Sequence, residues 1–562
     1  MALTLDEATA QLTGPGGEFE IAEVPVRGVT TKVFVNAPPS LVHILESSRQ
    51  FGDRTFVVYE DDRWTFAEHH AIAANLAHRL IDDFGVGKGD RVAIAMRNFP
   101  EWIATFWAAT AAGAIVVPLN AWWTAGELEY ALADCGAKVL VADEERARLL
   151  AEHLGSTAVE TRIVARGSVD GWVPFDEVIA AGGPGEVPDI AIDPEDDATI
   201  FYTSGTTGVP KGAVGTHRNI CTITANGQYA LARGAALAGK QLPPVAERPQ
   251  AGRLLSVPLF HVTGCHATMV GSTAAGSKLV MMYRWNPERA LELIEREQLT
   301  TFGGVPSMVW EVLESPAFGD HDLSSITSIG YGGAPAPPEL VRRIGEHFPV
   351  ASPGNGYGLT ETSSVAIANG GADYVRKPHS IGKPIAVVDV RIVDPAGNDL
   401  PEGVVGELLI KGPNVVRGYW HKPDETAATF VDGWLHTGDL AYIDDEGFIT
   451  IADRAKDVVI RGGENVYCAE VEGVLYEHPA ITEATVIGVP HRVLGEEVGA
   501  VIVLRPDRSA TVEEIQAHVR EHLAGFKVPT HVWFRDEPLP RNPAGKVLKR
   551  ELRDELVSDP PT

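Results

Sequence analysis

The chain has 562 residues, a formal net charge of -29, and apolar and charged contents of 44 % and 22 %, a composition typical of a globular protein with several domains. The acidic excess disfavours binding to nucleic acids or anionic membranes, because both partners require basic surfaces. The cysteines Cys135, Cys221, Cys265 and Cys468 form no C-x-x-C pair and the N-terminal segment has no signal pattern, so we expect a cytoplasmic protein without a disulfide framework.

From about residue 40 to 350, short apolar segments alternate with amphipathic ones. The cap Asn286, followed by Pro287, marks the start of one helix. The alternation predicts parallel sheets with helices on both faces. The expected buried strands are RVAIAM (91–96), AIVVPLN (114–120), AKVLVAD (137–143), RLLSVPL (253–259) and LTTFGGVP (299–306).

Two uncharged stretches, 102–126 and 254–277, are long enough for a membrane-spanning helix. Polar residues, together with Gly113 and Pro118, interrupt the first stretch, and the second is interrupted in the same way. We therefore expect a buried helix at 101–112 followed by a strand, and no transmembrane segment.

The pattern changes near residue 380 and again after Arg454. Alternating segments joined by turns predict a small antiparallel barrel or sheet at about 380–452. Thr511 and Glu514 form a capping box at the start of a helix in a compact α+β region. We predict an α/β body over 1–452, a hinge at 453–457 and a small α+β domain over 458–562.

The segment YTSGTTGVPKGAV (202–214) is poor in helix-forming and strand-forming residues. Glycines allow backbone N–H groups to converge on an anion, the hydroxyls add donors, and Lys211 adds charge. The Walker pattern G-x-x-x-x-G-K-[ST] is absent from the chain. On composition alone, a polyphosphate-binding loop and a solvated glycine-rich turn remain alternatives.

Five further motifs have polar groups suited to a nucleotide. In NGYGLTET (355–362), Glu361 is a candidate Mg²⁺ ligand, although a surface glutamate at a strand end is the alternative. His261 and His266 suggest a metal site, but the absence of a third nearby ligand favours a packed or substrate-lining role. The remaining motifs are YGGAP (331–335), WLHTGD (434–439), DRAKDVVIRGGENVYCAEVE (453–472) and PRNPAGKVLKRELR (540–553).

In this order, the six motifs resemble those of the adenylate-forming superfamily, which includes acyl-CoA synthetases, adenylation domains of peptide synthetases, and luciferases. The resemblance covers about residues 40–555 and is closest to the AMP-forming acyl-CoA synthetases. It implies a large N-terminal AMP-binding body, made of two doubly wound αβα subdomains and a small β-barrel. A small mobile α+β domain is expected to follow as a lid.

The resemblance also implies how a nucleotide is bound. The loop 203–211 is expected to hold the β- and γ-phosphates of ATP, and 332–334 and Tyr357 to sandwich the adenine, with Asn355 at its amino edge. Asp439 and Arg454 are expected to hold the ribose. The full predicted set is Thr203, Ser204, Gly205, Thr206, Thr207, Gly208, Lys211, Gly332, Gly333, Ala334, Asn355, Gly356, Tyr357, Asp439, Arg454, Gly462 and Gly463.

Four residues take catalytic roles by the same resemblance. Thr360 is expected to contact the α-phosphate, and Glu361 to ligate Mg²⁺. Lys546 is expected to reach from the small domain to the α-phosphate and the substrate carboxylate, and His261 to lie beside the acyl pocket. The hinge is assigned to Lys456, about which the small domain rotates between two half-reactions to bring Gly463 towards the thiol channel.

His261 occupies the position at which amino-acid-activating relatives carry an aspartate, so an amino acid is not expected as substrate. The pocket residues are small or apolar, which favours a fatty or similarly hydrophobic acid, with an aromatic acid as the alternative. The predicted pocket is formed by Val262, Thr263, Gly264, Gly303, Gly304, Val305 and Met308.

The expected reaction makes an acyl-adenylate and pyrophosphate from ATP and the acid, with Mg²⁺, and then transfers the acyl group to coenzyme A. Alternatives are a ligase that loads a separate carrier protein, and a luciferase-type oxidation. A non-catalytic nucleotide-binding scaffold would be expected to lack Lys546 or Glu361, and both residues are present. A dehydrogenase is not favoured, because its dinucleotide-binding fingerprint is missing from the sequence. The expected partners are small molecules, and a homodimer is a candidate assembly.

Overall fold

The computed structural model describes residues 3–180, 182–203, 210–334, 336–506, 508–542 and 545–556. Within these ranges the chain forms four sheets of five or more strands, together with an N-terminal hairpin of Ile21–Val26 and Val29–Phe34. The α-helices are Leu5–Thr13, Leu41–Ser48, Phe66–Asp82, Pro100–Ala111, Ala125–Cys135, Glu144–Leu150, Phe175–Ala180, His217–Leu237, Gly271–Ala275, Pro287–Glu297, Pro306–Glu314, Pro338–His347, Gly371–Arg376, Pro423–Thr429, Cys468–Tyr476, Val512–His522 and Lys549–Leu556.

The first large sheet has seven strands and is parallel except at one edge. Successive residues of its strands face different cores: Val92 and Ile94 join one cluster, and Ala93 and Ala95 another. Helices therefore cover both faces, as predicted. In spatial order the strands are Lys211–Thr216, Asp197–Thr203, Ile115–Leu119, Arg91–Ala95, Val139–Asp143, Thr161–Ala165 and Val173–Pro174.

The second large sheet has nine strands, with a parallel centre and antiparallel edges. Leu255 and Leu279 belong to the same core cluster as the first sheet, so the two sheets share one layer of helices. In spatial order the strands are Lys383–Pro384, Ser364–Gly370, Ser352–Leu359, Ser328–Gly332, Thr301–Gly304, Gly252–Leu255, Lys278–Met281, Thr55–Tyr59 and Asp62–Thr65.

The two uncharged stretches lie inside this layered body. Every residue of the helix Pro100–Ala111 is buried, and the strand Ile115–Leu119 follows it in the seven-stranded sheet. The second stretch contains a π-helical turn at Thr263–Val270 and the short helix Gly271–Ala275. Among the described residues, no helix has both the length and the apolar content needed to cross a membrane.

Between about residues 389 and 454 the sheet is antiparallel, as predicted, whereas the C-terminal sheet also contains one parallel pair, Gly495–Leu504 with His531–Arg535. The strands Asp389–Val393, Gly406–Lys411, Trp434–Ile443, Phe430–Val431 and Ile449–Arg454 pair in an open order, without a described pair that closes a barrel. The C-terminal sheet consists of Glu464–Val466, Val459–Arg461, Gly495–Leu504, Ile481–His491 and His531–Arg535. The helix Val512–His522 begins with the predicted capping box of Thr511 and Glu514, and packs on the same core as Cys468–Tyr476.

The C-terminal region is docked against the body in this structure. Arg505 forms an ion pair with Glu314 of the helix Pro306–Glu314. A Cβ atom placed on Gly545 would lie 2.7 Å from Cγ2 of Val305, so the loop that carries Lys546 is in close contact with the body. This docking brings the loop to the carboxyl ends of the parallel strands, where open α/β sheets bind ligands.

Candidate active site

The candidate site begins at the carboxyl ends of the central strands of the nine-stranded sheet. Gly332 and Gly356 are register partners on two of these strands, and the strand Ser352–Leu359 leads directly into the 3₁₀ turn Thr360–Thr362. Gly333 has φ +75°, a conformation that favours glycine. This edge therefore presents side-chain-free backbone next to Thr360 and Glu361.

Tyr357, Asp439 and Arg454 form a hydrogen-bonded group beside that edge. The Tyr357 hydroxyl donates to Oδ2 of Asp439 at 2.5 Å, and Arg454 Nε lies 3.1 Å from Oδ1 of the same carboxylate. Asp439 and Arg454 are directly opposite each other on antiparallel strands. Burial and the neighbouring Asp439 carboxylate raise the pKa of Tyr357, so its hydroxyl remains a donor. The predicted ribose pair is thus brought against the predicted adenine-stacking tyrosine.

Glu361 is positioned by a tyrosine that the sequence analysis did not identify. The Tyr419 hydroxyl donates to Oε1 of Glu361 at 2.8 Å, and the ammonium of Lys211 lies 5.3 Å from the centre of the Tyr419 ring. Burial raises the pKa of Tyr419, so its hydroxyl remains protonated. This contact links the predicted Mg²⁺ ligand to the lysine at the end of the glycine-rich loop.

That loop is described only at its two ends. Thr203 and Lys211 are register partners on the antiparallel edge of the seven-stranded sheet, and Thr203 Oγ1 donates to the carbonyl of Lys211 at 3.4 Å. The predicted phosphate-binding residues between them lie outside the described residues; they are Ser204, Gly205, Thr206, Thr207 and Gly208.

Lys546 lies near the charged groups of the site. Its loop is closed by hydrogen bonds from Lys546 N to Asn542 Oδ1 at 3.0 Å and from Asn542 N to the Lys546 carbonyl at 2.8 Å. Burial, together with the positive charges of Arg454 and Lys456, lowers the pKa of Lys546 to about 8, against the opposing effect of Asp439 and Glu361. The lysine thus comes from the C-terminal region into a site built by the body.

His261 and His266 differ in their surroundings. Burial and the charge of Lys546 lower the pKa of His261 to about 4, and its buried Nε2 has no hydrogen-bond partner among the described residues. His266 contacts the Ser363 carbonyl through Nδ1 at 3.0 Å and packs edge-on against Phe201. His261 is therefore a neutral side chain near Lys546, whereas His266 is packed in the core.

A cavity of about 340 Å³ adjoins this edge of the sheet. Four of the seven predicted pocket residues line it: Val262, Thr263, Gly303 and Gly304. The other three lie elsewhere. Gly264 packs tightly on the Pro258 carbonyl, Met308 packs over Gly304, and Val305 contacts Gly545. Val305 is the N-cap of the helix Pro306–Glu314, and Met308 lies in its first turn.

Two predicted nucleotide residues are not at the site in this arrangement. Gly462 and Gly463 form the turn between Val459–Arg461 and Glu464–Val466, with φ +62° and +91°, and Gly462 N donates to the Leu494 carbonyl. Among the described residues, the hydrogen bonds of this turn do not include Tyr357 or Lys546. Their predicted approach requires the rotation of the small domain, which stays a prediction.

Two residues of the site were missed from the sequence. Tyr419 belongs to none of the six motifs, and its contact with Glu361 joins positions 58 residues apart. Arg253 lines the cavity, and its signal was a charged residue at the start of a predicted buried strand, RLLSVPL.

Comparison with known proteins agrees with this geometry. The AMP-binding enzyme family matches residues 44–420, and the AMP-binding enzyme C-terminal domain matches residues 470–546. A feruloyl-CoA synthase from Amycolatopsis sp is 36 % identical over 489 residues, covering 87 % of this chain and 93 % of the relative. A long-chain-fatty-acid–CoA ligase from Bacillus subtilis is 35 % identical over 547 residues, covering 91 % of this chain and 93 % of the relative.

The fold is likewise shared with solved structures. An anthranilate CoA ligase in complex with anthranoyl-AMP superposes with a TM-score of 0.82 at 27 % identity, covering 92 % of this chain and 98 % of that one. An o-succinylbenzoate CoA synthetase from Bacillus subtilis, in complex with its acyl-adenylate intermediate, gives a TM-score of 0.77 at 31 % identity, with the same coverage. With both family regions matched in order, this chain belongs to the family of AMP-binding, adenylate-forming enzymes.

Proposed function

We propose that this protein is an acid–thiol ligase that activates a hydrophobic carboxylic acid with ATP and transfers the acyl group to coenzyme A. The observation that carries the proposal is the position of Lys546, which lies among Arg454, Asp439 and Glu361 and close to His261. Lys546 brings a positive charge from the docked domain to the proposed ribose-binding carboxylate of Asp439. Such a charge suits a reaction between two anions.

In the proposed first step a carboxylate oxygen attacks the α-phosphorus of ATP. A P–O bond forms to the acid, the bond to the β-phosphate breaks, and pyrophosphate leaves with the electron pair. No general base is needed because the carboxylate is already ionised. The protein must instead neutralise charge and hold the reactants in line, and the ammonium of Lys546 provides the charge.

The residues around Glu361 fit Mg²⁺, which the reaction is expected to use. Glu361 offers a carboxylate held in place by Tyr419, and the adjacent Thr360 offers a hydroxyl, both of them hard oxygen donors. When bound, the ion would neutralise charge on the phosphates of ATP. Lys211, close to Tyr419, would bind the same phosphates from the other end of the glycine-rich loop.

In the proposed second step the coenzyme A thiol attacks the acyl carbonyl, the thioester forms, and AMP leaves. The thiol proton passes to solvent. Gly545, next to Lys546, packs on Val305 in the docked state, and we expect the thiol to require another arrangement of the small domain. We assign the pivot to Lys456, whose positive charge acts on Lys546 in the docked state. The hinge range 453–457 and the domain limits stay predictions.

The cavity and the relatives support a hydrophobic acid without separating an aliphatic from an aromatic one. The walls of the cavity combine glycine backbone with Val257 and Phe302. The relatives include a feruloyl-CoA synthase and a long-chain-fatty-acid–CoA ligase. A fatty acid–[acyl-carrier-protein] ligase from Streptomyces coeruleorubidus, 33 % identical, keeps a carrier protein as the alternative acceptor.

The proposal is tested by ATP–pyrophosphate exchange across a panel of aliphatic and aromatic acids. We expect acid-dependent exchange, followed by acyl-CoA when coenzyme A is added and analysed by mass spectrometry. No exchange with any acid would refute adenylation. Exchange without acyl-CoA would instead favour a carrier-protein acceptor.

A further inference from the structure

The cavity beside the candidate active site contains an arginine without a counterion. Arg253 lies on the strand Gly252–Leu255, near the centre of the nine-stranded sheet, and lines the cavity. Its Nε is buried without a hydrogen-bond partner, and within the described ranges no ion pair reaches its guanidinium. Burial lowers the pKa of Arg253, with no offsetting carboxylate among the described residues.

Arg253 lies at the end of the cavity that is remote from Lys546. Its register partner is Thr301, the first residue of a parallel strand that ends at Gly304. Gly304 is three residue steps along the strand from Thr301, a rise of about 10 Å. Because Gly304 and Arg253 line one cavity, a bound acid can extend from the carboxyl ends of the strands towards the guanidinium.

Arg253 is only partly buried, and a partly buried guanidinium that has no carboxylate partner favours an anionic ligand over a neutral one. Arginine stays protonated in proteins, and an isolated buried charge is strongly unfavourable unless it is paired and hydrogen-bonded. Its planar fork of N–H donors matches a carboxylate in a bidentate arrangement. Between the two ends the cavity wall includes Val257, Phe302 and Gly330, and the hydroxyl of the neighbouring Ser256 donates to the Gly303 carbonyl.

We propose that Arg253 binds a second carboxylate at the distal end of the substrate, so that the preferred acid is an apolar chain or ring with a carboxylate at each end. This inference rests on the proposed function and narrows its hydrophobic acid to a dicarboxylic acid. One carboxylate reacts beside Lys546, and the other pairs with Arg253.

The test compares matched acids in ATP–pyrophosphate exchange: hexanoate with adipate, octanoate with suberate, and decanoate with sebacate. We expect the wild-type enzyme to give a higher kcat/KM with the dicarboxylate of at least one pair. This comparison needs no variant, so a folding defect cannot obscure it. Preference for the monocarboxylate in every pair would overturn the inference and leave the proposed function intact.

Variants then assign the effect to this side chain. Arg253→Met should lower kcat/KM for the preferred diacid by about 30-fold or more, mainly through KM, and leave or improve the matched monoacid. Arg253→Lys should keep part of the diacid activity, since it retains charge without the fork. The control Arg550→Met removes an exposed arginine of the last helix and should change neither acid.

The outcomes separate the two proposals. Equal losses for diacid and monoacid in Arg253→Met, with an unchanged KM for ATP, would mean that Arg253 only supports the fold and would overturn the inference. An unchanged preference for the diacid in Arg253→Met would mean that water, and not the substrate, is the partner of the Arg253 guanidinium. This result would also overturn the inference. Absence of exchange with all acids in the wild-type enzyme would overturn the proposed function and this inference together.

Discussion

Removal of the Lys546 ammonium is the perturbation for which the structure gives the clearest expectation. Lys546→Ala should lower the rate of acyl-adenylate formation by about 100- to 1,000-fold, the range for removing one charged or hydrogen-bonding group that stabilises a developing negative charge. The KM for ATP should change little, because the proposed nucleotide-binding residues Tyr357, Asp439 and Arg454 contact one another without the C-terminal loop.

The pH dependence of the same step follows from the pKa of Lys546, lowered to about 8 by burial and by Arg454 and Lys456. The charged form is the active one and is lost as pH rises through that value. At pH 9 about a tenth of the free enzyme would remain charged, so kcat/KM should fall about tenfold for each further pH unit. Bound ATP adds negative charge near Lys546 and should raise its pKa. The alkaline limb of kcat should therefore lie at a higher pH than that of kcat/KM.

The assay is pyrophosphate exchange at saturating acid, with kcat/KM for ATP measured between pH 7 and 10. Lys527→Ala is the control, because Lys527 pairs with Glu470 in the same C-terminal region at 2.6 Å and should leave the profile unchanged. Lys546→Arg should retain charge and flatten the alkaline limb. Near-normal exchange in Lys546→Ala, or a flat wild-type profile above pH 8, would refute the reasoning.

Three further predictions concern docking, the hinge and the ribose pair. Gly545→Ala should slow adenylation and spare thiolysis of preformed acyl-adenylate, since φ +77° and the contact with Val305 oppose a side chain there; equal loss of both steps would contradict this. Lys456→Pro should have the opposite effect, sparing exchange and stopping thioester formation, and loss of both would argue against a hinge. Asp439→Asn should raise the KM for ATP about tenfold or more, by weakening charge-assisted hydrogen bonds, and an unchanged KM would remove Asp439 from the ribose site.

Periodicity and capping predicted the elements whose physics is local. The helix predicted at 101–112 is Pro100–Ala111, and the cap Asn286 begins Pro287–Glu297. Parallel strands, antiparallel hairpins after residue 380 and a smaller C-terminal domain were also expected and found. Alternation could not decide between a barrel and an open sheet at 380–452, because closure depends on which distant strands pair, and the described strands pair in an open order.

The residues of the candidate site were likewise predictable only in part. Tyr357 and Asp439, which the resemblance assigned to one nucleotide site, are in contact in the structure. Tyr419 could not, since its contact with Glu361 depends on how a distant loop folds over the turn. The lining of the cavity by Val262, Thr263, Gly303 and Gly304 agrees with part of the predicted acyl pocket, and the roles of Gly264, Val305 and Met308 stay predictions. A cytoplasmic location and a homodimer stay predictions.

The central claim is that a carboxylate oxygen attacks the α-phosphorus of ATP beside Lys546. The most direct test uses an acid labelled with heavy oxygen in its carboxyl group, converted in the presence of ATP and coenzyme A, with AMP analysed by mass spectrometry. The account predicts that AMP gains a single labelled oxygen, transferred when the acyl-adenylate is cleaved by the thiol. Unlabelled AMP, or label recovered in inorganic phosphate or pyrophosphate, would contradict it.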